Sequence, residues 1–111
     1  MDLRPLSPAL TVTGQIQPQD VATLAGAGFK SIICNRPDGE EPGQPPQATI
    51  AAAAAKAGLG FAFLPVTGAD LGPAAGREFA RLMATLPGPV LAYCRSGARS
   101  HALSTLAPAQ A

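Results

Sequence analysis

The sequence contains no tryptophan, and aromatic residues make up only 5% of it. A chain so poor in flat π surfaces offers no platform on which successive bases could stack. Charge is scarce as well: Asp, Glu, Lys and Arg together reach 14%, and the formal net charge is +1. Without a basic stripe, the electrostatic footprint of a nucleic-acid-binding protein is missing. No apolar run approaches the roughly 20 residues that a membrane span requires. The opening Met1-Asp2-Leu3-Arg4-Pro5 lacks the apolar stretch of a signal peptide. The expectation is therefore a cytoplasmic protein that takes neither nucleic acid nor membrane as a partner. Only two cysteines are present, Cys34 and Cys94, and in that compartment both are reduced.

Hydrophobic residues are plentiful, at 47% of the 111 positions. That is enough for one folded domain spanning 1–111, with a core that is real but not generous. Along the chain, short apolar runs alternate with helical stretches. Leu10-Thr11-Val12, Ser31 to Asn35, Phe61 to Leu64 and Val90 to Tyr93 read as strands. Helices are predicted from Pro18 to about Ala27, Gln47 to Ala57, Pro73 to Leu86 and Ala98 to Leu106. Val21, Leu24 and Ala25 form the buried stripe of the first, and Phe79, Leu82 and Met83 that of the third. Arg36 to Pro46, with four prolines and two glycines, is a loop, as is Pro65 to Pro73. This alternation predicts an α/β fold with parallel strands joined by right-handed crossovers. Sites in such sheets lie beyond the carboxyl ends of the strands. The loops after Asn35, Leu64 and Tyr93 then share one rim.

One of those loops carries chemistry. Val90-Leu91-Ala92-Tyr93 runs straight into Cys94-Arg95-Ser96-Gly97-Ala98-Arg99-Ser100. A strand that turns at once into a helix exposes backbone N–H groups that converge with the positive end of the helix dipole. The same field that favours an anion there stabilises a thiolate. Arg99 adds a planar fork of donors suited to an oxyanion. Cys94 thus reads as a nucleophile, with Arg95, Ser96, Gly97, Ala98 and Ser100 building an anion-binding loop around it. Ser100 offers a hydroxyl to the thiolate. Asp70, in the loop after the third predicted strand, reads from its place alone as a capping or loop aspartate ahead of Pro73. Cys34 reads as a core cysteine, with a regulatory disulfide to Cys94 as the alternative. His101 is assigned to the surface or to packing. Arg36, Asp38, Glu40 and Glu41 either fringe the site or belong to a solvated loop.

Three segments in order carry a family resemblance: Ile32-Ile33-Cys34-Asn35, Leu64 to Asp70, and Tyr93 to Ser100. Together they resemble the dual-specificity and tyrosine phosphatase fold. More closely, Cys34-Asn35-Arg36-Pro37-Asp38-Gly39-Glu40 with Cys94 to Ser100 makes nearly the whole chain similar to the phosphatase-like domain of the bacterial beta-lactamase-hydrolase-like proteins. Members of that family are described both as phosphatases and as sulfurtransferases, alone or joined to a persulfide dioxygenase domain. The resemblance implies a tyrosine-phosphatase-like three-layer sandwich, its mainly parallel sheet of four to five strands flanked by helices, with Cys94 as nucleophile. It also implies a persulfide dioxygenase as a partner. Family members usually continue with further helix, so the chain is expected to be a short member or a fragment.

Two features depart from the phosphatase pattern. Tyr93 stands where phosphatases have histidine, and four residues rather than five separate Cys94 from Arg99. That spacing, with the string Cys-Arg-Ser-Gly-Ala-Arg, resembles the active loop of rhodaneses. A loop shorter by one residue is expected to supply one fewer inward N–H group. On that basis the favoured expectation is a sulfurtransferase. Cys94 takes sulfane sulfur from a small anionic donor, thiosulfate or glutathione persulfide, and passes it as a persulfide to a thiol or cyanide. The alternative is a cysteine-dependent phosphatase acting on a phosphate ester through a Cys94 phosphocysteine, with Asp70 as general acid. Neither reading requires a metal or an organic cofactor.

Overall fold

In the computed structural model, residues 1–108 are described, and they form five strands and four helices. In chain order these are β1 (Arg4–Ser7), β2 (Leu10–Thr13), α1 (Asp20–Gly26), β3 (Ser31–Cys34), α2 (Gln47–Lys56), β4 (Gly60–Phe63), α3 (Pro73–Thr85), β5 (Val90–Tyr93) and α4 (Ala98–Leu106). The strands make one sheet in the order β1-β2-β5-β3-β4. β5 is parallel to both neighbours, with Val90–Tyr93 in register against Leu10–Thr13 on one side and Ser31–Cys34 on the other. β4 extends the parallel set beyond β3.

Burial on both faces explains why β5 reads as an unbroken apolar run rather than an alternating one. Its side chains still divide by the two-residue period of a strand. Leu91 and Tyr93 enter a core with Ile16, Val21, Leu24, Ile32, Cys34, Ile50 and Ala54, under α1 and α2. Val90 and Ala92 enter a second core with Leu10, Val12, Ile33, Val66, Phe79 and Leu103, under α3 and α4. The result is the expected three-layer α/β sandwich. Because β5 is inserted between β2 and β3, its carboxyl end opens at a point where the strand order switches, which is where open parallel sheets bind ligands.

β1 lies outside the strands that the sequence predicts. All four of its residues are exposed and Pro5 interrupts them, so no hydrophobic alternation marks it. It pairs antiparallel with β2 at the sheet edge, where proline is tolerated. The first helix begins at Asp20 rather than Pro18, because the Asp20 carboxylate accepts the Gln17 N–H at 2.8 Å and closes a turn ahead of it. Pro65 to Pro73 is not wholly loop, since Gly68–Asp70 forms a 3₁₀ turn. No helix among the described residues is long and apolar enough to cross a membrane.

Candidate active site

The nucleophile sits where β5 ends. The Cys94 N–H donates to Thr13 O at 3.4 Å, extending the β2–β5 ladder by one residue before the chain turns away. Gly97 caps α4 with φ +94°, a left-handed conformation that glycine adopts at least cost. The turn brings the Gly97 N–H to 3.0 Å from Cys94 Sγ. Burial alone would push the fully buried Cys94 thiol up. The N–H groups of Ser100, Arg99, Ser96 and Gly97 outweigh it and hold the thiol below its ordinary range. The Ala98 N–H is diverted to Ser96 Oγ at 3.3 Å.

Arg99 is held by three bonds. Nη1 donates to Val66 O at 2.9 Å and to Glu40 Oε2 at 2.8 Å, and Nη2 donates to Glu40 Oε1 at 2.8 Å. Of the five guanidinium hydrogens, these use both on Nη1 and one on Nη2. Nε–H and the second Nη2 hydrogen form the remaining edge of the fork, and the guanidinium also interacts with the Cys94 side chain. An oxyanion meeting that edge accepts two parallel bonds. Glu40 also accepts the Nε–H of Arg36 at 2.8 Å. Its carboxyl is held at about 2, chiefly by its bonds to Arg99 and despite the opposing effect of burial. Arg36 is buried, with 1% of its side chain exposed, and is further met by Glu41 and Gln15, each at 3.1 Å. A buried guanidinium is tolerated when its donors are paired. Arg36, Glu40, Glu41, Arg95 and Arg99 together line a polar cleft at the mouth.

The remaining expected residues fall into place around this centre. The Ser100 hydroxyl donates to Asn35 Oδ1 at 2.8 Å, not to the thiolate, so only its backbone N–H serves the sulfur. Asn35 is oriented for this by its own Nδ2 bond to Leu64 O at 3.0 Å. Arg95 is exposed at the mouth, with Nη2 3.9 Å from Glu41 Oε2. Asp70 is exposed and caps its own turn, accepting the Thr67 N–H and hydroxyl at 2.9 Å each. Those bonds keep its carboxyl ionised below the usual range. Its loop is nonetheless tied to the site, since Val66 bonds both Arg99 and the Asn35 carbonyl. Cys34 is a core cysteine facing Tyr93, its thiol pushed up by burial. His101 is exposed. Of the loop residues left open by the sequence, Arg36 and Glu40 prove to be structural members of the site. The signal that could have singled them out is an arginine immediately after a strand end, with acids four and five residues on.

The family profile for the phosphatase-like domain of beta-lactamase hydrolase-like protein matches residues 2–111. The chain belongs to that family. It is 45% identical over 100 residues to the Beta-lactamase hydrolase-like protein of Agrobacterium fabrum, covering 90% of this chain and 23% of that one. To the protein of the same name from Xylella fastidiosa strain Temecula1 it is 40% identical over 106 residues, covering 96% and 25%. The chain thus spans about a quarter of the length of these curated relatives. A proposed phosphatase from Neisseria meningitidis has the same fold with a TM-score of 0.87 and 39% identity, over 93% of this chain and 73% of that one. TpbA of P. aeruginosa, solved with pTyr, shares the fold alone, at a TM-score of 0.64 and 21% identity over 86% of this chain and 54% of its own.

These relatives overturn the expectation of a sulfurtransferase. The family is described as phosphatase-like, and its structural neighbours are phosphatases or proposed phosphatases. Residue counting misled for a physical reason. The loop from Cys94 to Arg99 is short, but the cradle does not end at Arg99. The Ser100 N–H, beyond Arg99, is among the backbone groups that lower the Cys94 thiol, although the Ala98 N–H is diverted.

Proposed function

We propose that this domain is a cysteine-dependent phosphoric monoester hydrolase. The observation that carries the reading is the Gly97 N–H 3.0 Å from Cys94 Sγ, in a loop whose backbone N–H groups hold the thiol below its ordinary range, with Arg99 fixed beside it by Glu40 and Val66. A phosphoryl group has three non-bridging oxygens. Two meet the Nε–Nη2 edge of Arg99, and the loop N–H groups serve the third and the charge that develops in transfer. Donors fixed in advance need no reorganisation when that charge appears, and this is commonly the largest catalytic contribution.

The Cys94 thiolate attacks phosphorus, the S–P bond forms, and the bond from phosphorus to the ester oxygen breaks. The departing oxygen takes a proton from Asp70 when its own basicity requires one. Water then attacks the phosphocysteine, giving its proton to the Asp70 carboxylate, and inorganic phosphate leaves with the thiolate restored. Asp70 serves in this scheme only after exchanging its two Thr67 bonds for a proton, which favours substrates with a weakly basic leaving group. Glu40 and Arg36 do not touch substrate; they hold the Arg99 fork. Steady-state hydrolysis of p-nitrophenyl phosphate tests the reading. Turnover that vanadate inhibits competitively and that Cys94→Ser abolishes is expected. An active-thiol protein with no such turnover contradicts it.

A further inference from the structure

We infer that Arg4, on the exposed edge strand β1, is a positioning residue that sets the anion cradle from outside. In a trans peptide the C=O and N–H point in opposite directions. A bond that pulls a carbonyl outward therefore aims the next residue's N–H inward. Two peptide units of the cradle are fixed this way. Arg95 O accepts the Gln15 backbone N–H at 3.2 Å, which turns the Ser96 N–H to the inner side of the loop. Ser96 O accepts Arg4 Nη2 at 2.5 Å, which turns the Gly97 N–H toward Cys94 Sγ.

The second tie differs from the first in kind. It depends on one side chain that arrives from 92 residues away in sequence. It also acts on the peptide most able to rotate, because Gly97 has no Cβ to penalise the flipped conformation. A Cβ built on Gly97 would collide first with the Arg4 guanidinium, so the glycine makes room for the tie as well as needing it. No carboxylate among the described residues holds Arg4 at this place. It enters no ion pair among the described residues, and a cation beside a helix N-terminus opposes the helix dipole. The carbonyl of Ser96 is what it serves.

The test compares Arg4→Met and Arg4→Lys with the parent in the full chain. The pH dependence of Cys94 alkylation by iodoacetamide is read at the Cys94 peptide, beside kcat/KM for p-nitrophenyl phosphate and the urea midpoint. In Arg4→Met the thiol midpoint is expected to rise by about half to one unit. kcat/KM is expected to fall about 10-fold, less than for outright removal of a donor, at an unchanged urea midpoint. Arg4→Lys restores one donor together with the charge and is expected to recover most of both. A titration difference that about 0.5 M salt does not erase is expected from the hydrogen bond rather than from the charge. An Arg4→Met protein whose Cys94 titrates like the parent overturns the inference. So does a shift that Arg4→Lys fails to rescue and that tracks a lowered urea midpoint. The rate arm rests on the phosphatase reading, whereas the titration does not. A shifted titration in a protein that never hydrolyses the aryl phosphate supports Arg4 and contradicts the phosphatase.

Discussion

Glu40→Gln probes the ion-paired frame behind the cradle with a change of one atom. Glu40 Oε1 receives Arg36 Nε and Arg99 Nη2, and Oε2 receives Arg99 Nη1, all at 2.8 Å. Glutamine can keep the first oxygen, but its amide nitrogen replaces Oε2 and sets donor against donor at Arg99. One charge-assisted bond is lost and two attractions lose their charge. Hydrogen bonds to charged groups contribute about 1.5–3 kcal/mol each. Arg36 retains Glu41 and Gln15, and the pair is partly solvated, with side-chain exposures of 18% for Arg99 and 26% for Glu40. A net loss of about 2 kcal/mol at neutral pH follows, a shift of about 1 M in the urea midpoint. kcat/KM should fall about 10- to 100-fold as the fork loses its aim.

The sign with pH is fixed by the same geometry. Arg99 and Arg36 hold the Glu40 carboxyl at about 2 in the folded chain, below its ordinary 4.5. A depressed carboxyl stabilises above its unfolded pKa and loses that contribution as pH falls through the folded one. The stability gap between parent and Glu40→Gln should be full at neutral pH and narrow from 4.5 toward 2. Urea melts of both proteins across that window measure it. A gap that does not change with pH, or no gap at neutral pH, would refute the reasoning.

Two further substitutions address the frame and the proton. In α3, Gly76→Ala places a methyl group against the Leu106 carbonyl of α4. Helix propensity favours alanine by about 1 kcal/mol, yet overpacking should win and destabilise by about 1–3 kcal/mol; a raised urea midpoint would show the helices free to part. Asp70→Asn removes the proposed acid. It should cost about 100-fold in kcat/KM on phenyl phosphate, whose leaving group needs a proton, and little on p-nitrophenyl phosphate. Equal losses on both, or none on either, would assign Asp70 to capping Thr67 alone.

The layout of the fold was legible because its strongest signals are periodic and local. β2 to β5 and all four helices announce themselves by apolar runs, glycine stops and proline starts. β1 was not legible, since an exposed edge strand containing Pro5 has no face to bury. At the site, Cys94 and its loop were visible because a strand, a cysteine, a glycine and an arginine stand in one short segment. Arg36 and Glu40 were left open between the site and a solvated loop, and Arg4 was not visible, because their roles exist only after distant segments meet: Glu40 joins Arg99 across 59 residues, and Arg4 joins Ser96 across 92. The Ser100 hydroxyl was misassigned for the same reason, as its partner Asn35 lies on another strand's end. Loop length was the weakest guide. It counts residues, whereas an anion responds to where N–H groups point.

The phosphocysteine is the species that the account requires and that no merely anion-binding cradle forms. Mixing the protein with p-nitrophenyl phosphate, quenching in acid during turnover and weighing the intact chain measures it directly. A fraction of the protein heavier by one phosphoryl group is expected, mapped to Cys94 and absent from Cys94→Ser. A protein that stays unmodified while its Cys94 alkylates readily at neutral pH would contradict it.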